Sequence, residues 1–424
     1  MEKQKFLLGA ATAAHQVEGN NTECDMYTEE LLPGTRFREP SGIGCDHYNR
    51  YEEDIRMLAE AGLNAYRFSI EWARIQPVKG AWVEKEVRHY KDVLDCCARY
   101  GVTPVVTMHH FTTPKWIIGL GGWESRELPG YFADYCARLA EELGDRIGLV
   151  CTINEANTGM QAASRKEEFA RKLGIDLNNM EEMVKSHPYF KKKAAYDRLC
   201  AEKFGCEGTP QTFLGLRTPE GDQIIMDAHC RARDAMKRVN PNLKIGMTLS
   251  LFDFLAVPGG EELAEKMWVR DFTHYLPAIG KDDFVGVQNY SRQVIGPEGE
   301  IQTDEPDAIK SQMGYDVYPP SVSDIVQRVA TQFKGDIYIT ENGLASANDG
   351  DRVRFINESL PCALKVREDG IPLKGYFYWS LLDNFEWMRG YEPRFGLVEV
   401  NRETMERKPK ESLYVLGSYA SKIS

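Results

Sequence analysis

The sequence lacks a surplus of positive charge and any long hydrophobic run. Lysine and arginine number 52 against 64 aspartates and glutamates, which gives a net charge of −12 at pH 7. A groove for nucleic-acid phosphates needs the opposite balance, so no nucleic-acid partner is expected. Apolar runs are much shorter than the roughly 18 residues that suggest a membrane span, so none is expected. Residues 1–15 form a short apolar stretch that leads directly into "HQVEG", and we expect no secretion signal there.

The cysteine spacings typical of metal sites are also missing. Ten cysteines are present, but no CxxC pair and no Cys/His cluster with zinc-ligand spacing occurs. Several, including Cys136 and Cys151, lie in apolar runs and are expected to be small buried residues. These features predict no metal and no cofactor. They favour a reducing compartment, so we expect a cytoplasmic protein.

Gly-rich phosphate-binding motifs are absent too, since neither GxGxxG nor GxxxxGK[ST] occurs. What is present is a regular alternation of apolar runs with segments of helical periodicity. The eight apolar runs span residues 6–12, 64–70, 103–110, 149–155, 243–250, 284–291, 336–343 and 375–383. Parallel neighbouring strands need a crossover, usually a helix, and eight such units close a barrel. We therefore predict an α/β fold, a single (β/α)8 TIM barrel over residues 1–424 with extended βα loops.

Two segments are longer than a usual βα loop. Residues 157–217 are charged and are predicted to be an insertion of short helices after the fourth strand. Residues 291–320, after the sixth strand, are predicted to be a long loop. In the helical segment 352–366, Pro361 predicts a kink or a break.

Two of the predicted strands end on a glutamate in nearly the same context. Glu155 closes "TINE" at the end of strand four, and Glu341 stands in "ITENG" at the end of strand seven. Active sites of such barrels lie at the C-terminal strand ends, where strands three apart face each other across the mouth. Two carboxyl groups opposed in this way can cleave a glycosidic bond: one protonates the leaving oxygen, and the other attacks the sugar or activates water.

Further polar and aromatic residues lie at the other strand ends. Arg67 shares a strand face with Ser69, and we expect it inside the barrel, where it would lower the pKa of a neighbouring carboxylate. Amides, histidines, carboxylates and indoles are suited to binding sugar hydroxyls and the apolar face of a pyranose. The residues of this kind are Gln16, His109, His110, Asn289, Tyr290, Trp379, Asp383, Asn384, Glu386 and Trp387.

The sequence resembles glycoside hydrolase family 1, the β-glucosidase family, over nearly its whole length. The acid motif is matched by "TINEA" (152–156) and the nucleophile motif by "ITENG" (339–343). Further family blocks are matched, in order, by "AATAAHQVEG" (10–19), "YRFSIEWARI" (66–75), "HHFTTP" (109–114), "YWSLLDNFEW" (378–387) and "GYEPRFGL" (390–397).

The resemblance implies a retaining β-glycosidase with Glu341 as nucleophile and Glu155 as acid/base, their carboxyl groups about 5–5.5 Å apart. It implies that Arg67 and Tyr290 flank Glu341 and that Asn289 lies near the acid/base. The implied sugar-binding residues are Gln16, His110, Asn154, Trp379, Glu386 and Trp387. His109 is excluded from this set and is expected to be a packed or satisfied histidine.

One departure from the family pattern is Ala156, where the family usually has proline. Loss of the ring is expected to loosen the turn after Glu155 by about 1 kcal/mol of conformational entropy. The substrate is expected to be a small carbohydrate with a terminal glucose, galactose or fucose. Two alternatives are a 6-phospho-β-glycosidase and a catalytically impaired sugar-binding relative; "MRGY" (388–391) and the retained "FEW" favour a neutral sugar. The sequence leaves the oligomeric state open, including a homo-oligomer.

Overall fold

The computed structural model describes residues 5–172, 188–302 and 310–423. Its centre is a closed barrel of eight parallel strands, in which each strand pairs with its neighbours along the barrel order and the first closes on the last. The strands are β1 (Leu7–Ala11), β2 (Ala65–Ser69), β3 (Thr103–His109), β4 (Leu149–Ile153), β5 (Ile245–Ser250), β6 (Phe284–Gln288), β7 (Asp336–Asn342) and β8 (Leu373–Trp379). All eight predicted apolar runs supply barrel strands, so the predicted fold class is confirmed.

Helices follow each of the eight strands. Those of eight or more residues are His47–Glu60, Glu84–Arg99, Leu128–Leu143, Thr158–Lys172, Pro188–Phe204, Pro219–Val239, Glu261–Asp271, Ser321–Gln332, Asp349–Glu368 and Glu411–Ser418. Shorter α-helices span Ala14–Val17, Asp25–Glu30, Trp72–Ile75, Lys115–Gly119, Leu276–Ile279 and Ala420–Ile423. Single 3-10 turns span Gly122–Glu124, Gly144–Arg146, Thr273–Tyr275 and Trp387–Arg389. Among the described residues, no helix combines the length and apolar character needed to cross a lipid bilayer.

The alternation of side chains in β2 separates the barrel interior from the helix layer. Tyr66 and Phe68 belong to the large hydrophobic cluster between the strands and the helices, whereas Ala65 packs in the smaller cluster inside the barrel. Successive side chains of a strand point to opposite faces, so Arg67 lies on the interior face with Ala65. The predicted inward position of Arg67 is confirmed by its contacts with β4 and β7 residues.

The two long connections contain more regular structure than a loop. The predicted insertion includes the helices Thr158–Lys172 and Pro188–Phe204; residues 173–187 lie outside the described residues. After β6, Arg292–Gly296 and Gly299–Ile301 form an antiparallel hairpin that also pairs with Asp253–Ala256. Part of the segment predicted to be a long loop is therefore regular, because it finds a partner strand in the connection after β5. Residues 303–309 of the same connection lie outside the described residues.

The helix Asp349–Glu368 contains Pro361 and continues through it. The predicted break is therefore wrong. Leu360 and Ala363 are fully buried on the core side, whereas Pro361 and Asn357 are exposed. A proline removes the hydrogen bond to the carbonyl four residues earlier, and on the solvent side that carbonyl can bind water instead.

Candidate active site

Glu341 reaches the barrel mouth because the end of β7 is irregular. Ile337 and Ile339 pack in the outer cluster, so strict alternation would place Glu341 on the helix side. The pairing of β7 with β6 shifts register between Ile339 and Glu341. A β-bulge of this kind inserts one residue and redirects the side chain that follows. The bulge therefore turns Glu341 toward the interior, where it is 3% exposed.

Three side chains from the barrel interior hold the Glu341 carboxylate. The Arg67 guanidinium donates to Oε1 at 2.5 Å, and Gln288 Nε2 donates to the same oxygen at 2.8 Å. The Tyr290 hydroxyl donates to Oε2 at 2.5 Å. Charge-assisted hydrogen bonds on both oxygens fix the carboxylate in one orientation. The predicted positions of Arg67 and Tyr290 beside Glu341 match these contacts.

Glu155 is turned into the site by its own backbone. Ile153, two residues earlier, packs outward. Glu155 itself has φ of +45°, in the left-handed region that residues other than glycine seldom adopt. Thr158, at the start of the next helix, donates from Oγ1 to Glu155 Oε2 at 3.2 Å. The Glu155 side chain is partly exposed, whereas Glu341 is buried.

The ionisation of the two carboxyl groups is unequal. Burial and the negative charge of Glu341 raise the pKa of Glu155 to about 8. Burial also raises the pKa of Glu341, while Arg67 and Tyr290 oppose this shift. Arg67 therefore acts on the pKa of Glu341 in the predicted direction, but burial outweighs it and the pKa is raised on balance. Arg67 and Tyr290 favour the ionised form of Glu341, and the negative charge of Glu341 in turn favours the protonated form of Glu155.

Asn154 contacts the groups that hold Glu341, and His110 contacts Asn154. Asn154 Oδ1 accepts from Arg67 at 2.5 Å and from Gln288 at 2.7 Å, so its Nδ2 must be the group that faces His110 Nε2 at 3.2 Å. Burial lowers the pKa of His110 well below its usual value, which makes the ring neutral. Nε2 is then the acceptor, and the proton is on Nδ1. That Nδ1 is buried and has no hydrogen-bond partner in the described part of the chain.

Gln16 and Glu386 lie next to each other and are joined through the Gln16 amide. Gln16 Nε2 donates to the Phe385 carbonyl at 2.7 Å and to Glu386 Oε2 at 3.4 Å. Its Oε1 is buried and finds no partner among the residues the structure describes. Burial and the charges of Glu341 and Glu155 raise the pKa of Glu386 to about 8. Gln16 Oε1 and His110 Nδ1 are thus an acceptor and a donor that the other described residues leave unused, the pair of functions that a sugar hydroxyl satisfies.

The two indoles predicted for sugar binding each lie beside a histidine ring. Trp379, the last residue of β8, lies 5.6 Å from the His110 ring at an interplanar angle of 19°. Trp387 stacks on His15 at 5.7 Å and 5°. Both indoles are less than 10% exposed, so they are held in place by packing.

The Asn289 amide makes no hydrogen bond to Glu155 among the described residues. Its Nδ2 donates to the carbonyls of Leu251 and Ser291 at 2.8 and 3.0 Å, and its Oδ1 accepts from Ser321 at 2.7 Å. The amide therefore holds the segments after β5 and β6 together, and the place of Asn289 near the acid/base stays a prediction.

His109 lies where the sequence predicted a packed histidine. Its ring is among Trp123, Phe132 and Phe213, and Nε2 lies 3.2 Å from Thr113 Oγ1. Burial lowers its pKa to about 3.

Three residues that contact the two glutamates were not predicted from the sequence: Gln288, Thr248 and Thr158. Gln288 ends β6 directly before Asn289, and its place at a strand end was the available signal. Thr248 lies inside the apolar run of β5, where one threonine carries no signal; its Oγ1 accepts from the Glu155 N–H at 3.1 Å. Among the described residues, no group of three or more His, Cys, Asp or Glu side chains could hold a metal ion.

Comparisons with known proteins agree with this geometry. The sequence model of Glycosyl hydrolase family 1 matches residues 2–209 and 261–423. Beta-glucosidase A of Thermotoga maritima is 30% identical over 438 residues, covering 96% of this chain and 95% of that protein. A 6-phospho-beta-galactosidase of Clostridium acetobutylicum is 27% identical over 466 residues, covering 97% and 95%. The crystal structure of beta-glycosidase BGL167 superposes with a TM-score of 0.89 at 40% identity, covering 99% of this chain and 97% of that one.

The family model and the full-length similarity confirm the resemblance found in the sequence. Together with the barrel and its paired glutamates, they show that this chain is a glycosyl hydrolase and belongs to glycosyl hydrolase family 1.

Proposed function

We propose that this protein hydrolyses the terminal non-reducing β-linked sugar of small β-glycosides, with glucose as the preferred sugar and with retention of anomeric configuration. The observation that carries the proposal is the unequal pair: Glu341 is held by three donors, while the pKa of Glu155 is raised to about 8. One carboxylate is ready to attack, and one carboxyl group holds a proton at neutral pH.

In the first step, a Glu341 oxygen forms a bond to the anomeric carbon as the bond to the leaving oxygen breaks. Glu155 gives its proton to that oxygen, so the leaving group departs as a neutral alcohol. The negative charge of Glu341 disappears in the ester. One cause of the raised pKa of Glu155 is then lost, and the Glu155 carboxylate accepts a proton from an incoming water. Water attacks the same carbon, releases the sugar and restores both groups.

The glycone pocket supports a neutral sugar. The negative charge of Glu341 reaches Glu386, and the Arg67 guanidinium is already bound by Glu341 and Asn154. Arg389, a cation whose charge also reaches Glu386, donates to the carbonyls of Gln312 and Met313. A sugar phosphate would bring two more negative charges close to the ionised Glu341, which opposes its binding.

A panel of 4-nitrophenyl β-glycosides tests the proposal. We expect the highest kcat/KM on the glucoside, lower values on the galactoside and the fucoside, and little turnover of 6-phosphoglucoside or 6-phosphogalactoside. Preference for a 6-phosphate would show a phosphoglycosidase, as in the Clostridium acetobutylicum relative. Binding of these glycosides without hydrolysis of any of them would show that the protein is a catalytically impaired sugar-binding relative.

Two further features belong to the proposal. We propose that residues 1–424 act as one catalytic domain, supported by the single barrel that collects the site. A reducing, cytoplasmic location is supported by the ten free cysteines, seven of them buried.

A further inference from the structure

The turn that carries Glu155 is held from one side by β5. The N–H of Glu155 donates to Thr248 Oγ1 at 3.1 Å, and the N–H of Ala156 donates to the Thr248 carbonyl at 3.1 Å. A proline at position 156 would have no N–H to donate. Ala156 thus makes a backbone hydrogen bond in place of the restraint of a ring, and it is fully buried.

Arg217 holds the same turn from the other side. Its Nη1 donates to the Ala156 carbonyl at 2.7 Å, and its Nη2 donates to the Phe213 carbonyl at 2.8 Å. The guanidinium lies 4.8 Å from the centre of the Phe213 ring. Gly159 allows this approach, because a Cβ there would lie 2.8 Å from the guanidinium carbon. The chain therefore leaves the site after Glu155, and Arg217, later in the sequence, contacts the site again.

The environment of Arg217 is unusual for a buried cation. The residue is 5% exposed, and within the described part of the chain its guanidinium donates to carbonyl oxygens rather than to a carboxylate. Burial lowers the pKa of Arg217, and nearby acidic groups offset this shift only in part. Burying a charge without a bound carboxylate is costly, so a hydrophobic residue would be the cheaper way to fill this space. The guanidinium instead binds two carbonyls, one of which immediately follows Glu155.

We propose that Arg217 is a positioning residue for the acid/base: by binding the Ala156 carbonyl, it keeps the left-handed turn that directs the Glu155 carboxyl group at the leaving oxygen. This inference rests on the proposed function. Without that contact, Glu155 can relax toward more favourable backbone angles, and its carboxyl group moves away from the position needed for proton transfer.

The test compares leaving groups on one sugar. Arg217→Met removes the donors and keeps the side-chain length. We expect kcat/KM on phenyl β-glucoside, which needs protonation, to fall at least tenfold more than kcat/KM on 2,4-dinitrophenyl β-glucoside, which does not. Azide needs no general base, so it should restore kcat on the dinitrophenyl substrate and yield β-glucosyl azide. Arg217→Lys keeps one donor and should show the same pattern more weakly.

Arg352→Met is the control. Arg352 is also buried and donates to two carbonyls, those of Ser346 and Arg394, and unlike Arg217 it also donates to a carboxylate, Asp349 Oδ1 at 2.5 Å. None of these partners hydrogen-bonds to Glu155 in the described part of the chain. Its variant should leave the ratio between the two substrates unchanged. An equal fall on both substrates in the Arg217 variants, without azide rescue, would overturn the inference. If Arg217→Met does not fold, Arg217→Lys decides by the same ratio. A wild-type enzyme that hydrolyses neither substrate would instead overturn the proposed function.

Discussion

The side chains of Glu341 and Asn154 accept hydrogen bonds from the same two donors, Arg67 and Gln288. Glu341 belongs to β7, and Asn154 directly precedes Glu155 at the end of β4. The shared donors therefore join the two strand ends that carry the reacting carboxyl groups. The relative placement of nucleophile and acid/base depends on this bridge as much as on the barrel.

Gln288→Leu tests the bridge. The substitution removes one donor from both Glu341 and Asn154 and keeps a similar volume. A hydrogen bond to a charged group contributes about 1.5–3 kcal/mol, so we expect kcat/KM to fall at least tenfold. Steady-state kinetics on 4-nitrophenyl β-glucoside measures the effect. Unchanged kinetics in a folded variant would show that Arg67 alone maintains the placement.

Tyr290→Phe tests the second oxygen of the nucleophile. The variant loses the hydrogen bond to Glu341 Oε2 and nothing else in the ring, so we expect a fall in kcat of about 10- to 100-fold. Tyr135→Phe is the control, because its hydroxyl donates to the backbone carbonyls of Ile70 and Met108. If Tyr135→Phe lost as much activity as Tyr290→Phe, the loss in Tyr290→Phe could not be attributed to its hydrogen bond with Glu341.

The pH dependence follows from the raised pKa of Glu155. Proton donation requires the protonated form, so kcat/KM on a substrate with a poor leaving group should fall as pH rises through about 8. On the acid side, activity should fall as Glu341 is protonated, at a pH above the usual glutamate range because burial raises its pKa. A profile measured from pH 4 to 10 should be bell-shaped, and a flat one contradicts the assignment.

The coupling between the two carboxyl groups can be measured directly. Glu341→Gln removes the charge but leaves the burial, so the pKa of Glu155 should fall below about 8 and stay above its usual value. A carbon-13 NMR titration of labelled glutamate carboxyl groups, with Glu155→Gln to assign the signal, reports this value. The same pKa with and without the Glu341 charge would exclude electrostatic coupling.

Glu155→Ala separates the two steps. Turnover of phenyl β-glucoside should fall at least a thousandfold, whereas formation of the glycosyl-enzyme from 2,4-dinitrophenyl β-glucoside should change much less, because that leaving group needs little protonation. Pre-steady-state release of dinitrophenol measures the first step. Equal losses on both substrates would show that Glu155 is not the general acid.

The sequence predicted the barrel because its signals are local. Apolar runs such as 103–110 and 336–343, with helical segments between them, are visible without any tertiary information. Glu155 and Glu341 were found for the same reason, since each ends such a run. Their orientation was not predictable: the bulge at Ile339–Glu341 and the left-handed backbone of Glu155 depend on how neighbouring strands pair.

Other features could not be predicted from the sequence for the same reason. Asn289 follows a strand end as Tyr290 does, and only the loops around it decide that its amide binds Leu251 and Ser291. The expected loosening at Ala156 considered one residue, whereas Thr248 and Arg217 come from distant parts of the chain. The helix continues through Pro361 because the packing of the whole helix outweighs one missing hydrogen bond.

The central claim is that Glu341 forms a covalent intermediate on one face of the sugar and that water then displaces it from the same side. Proton NMR of 4-nitrophenyl β-glucoside hydrolysis, recorded before the free sugar mutarotates, tests this most directly. We expect β-glucose to appear first and the α-anomer to grow only later. Initial release of α-glucose would contradict it.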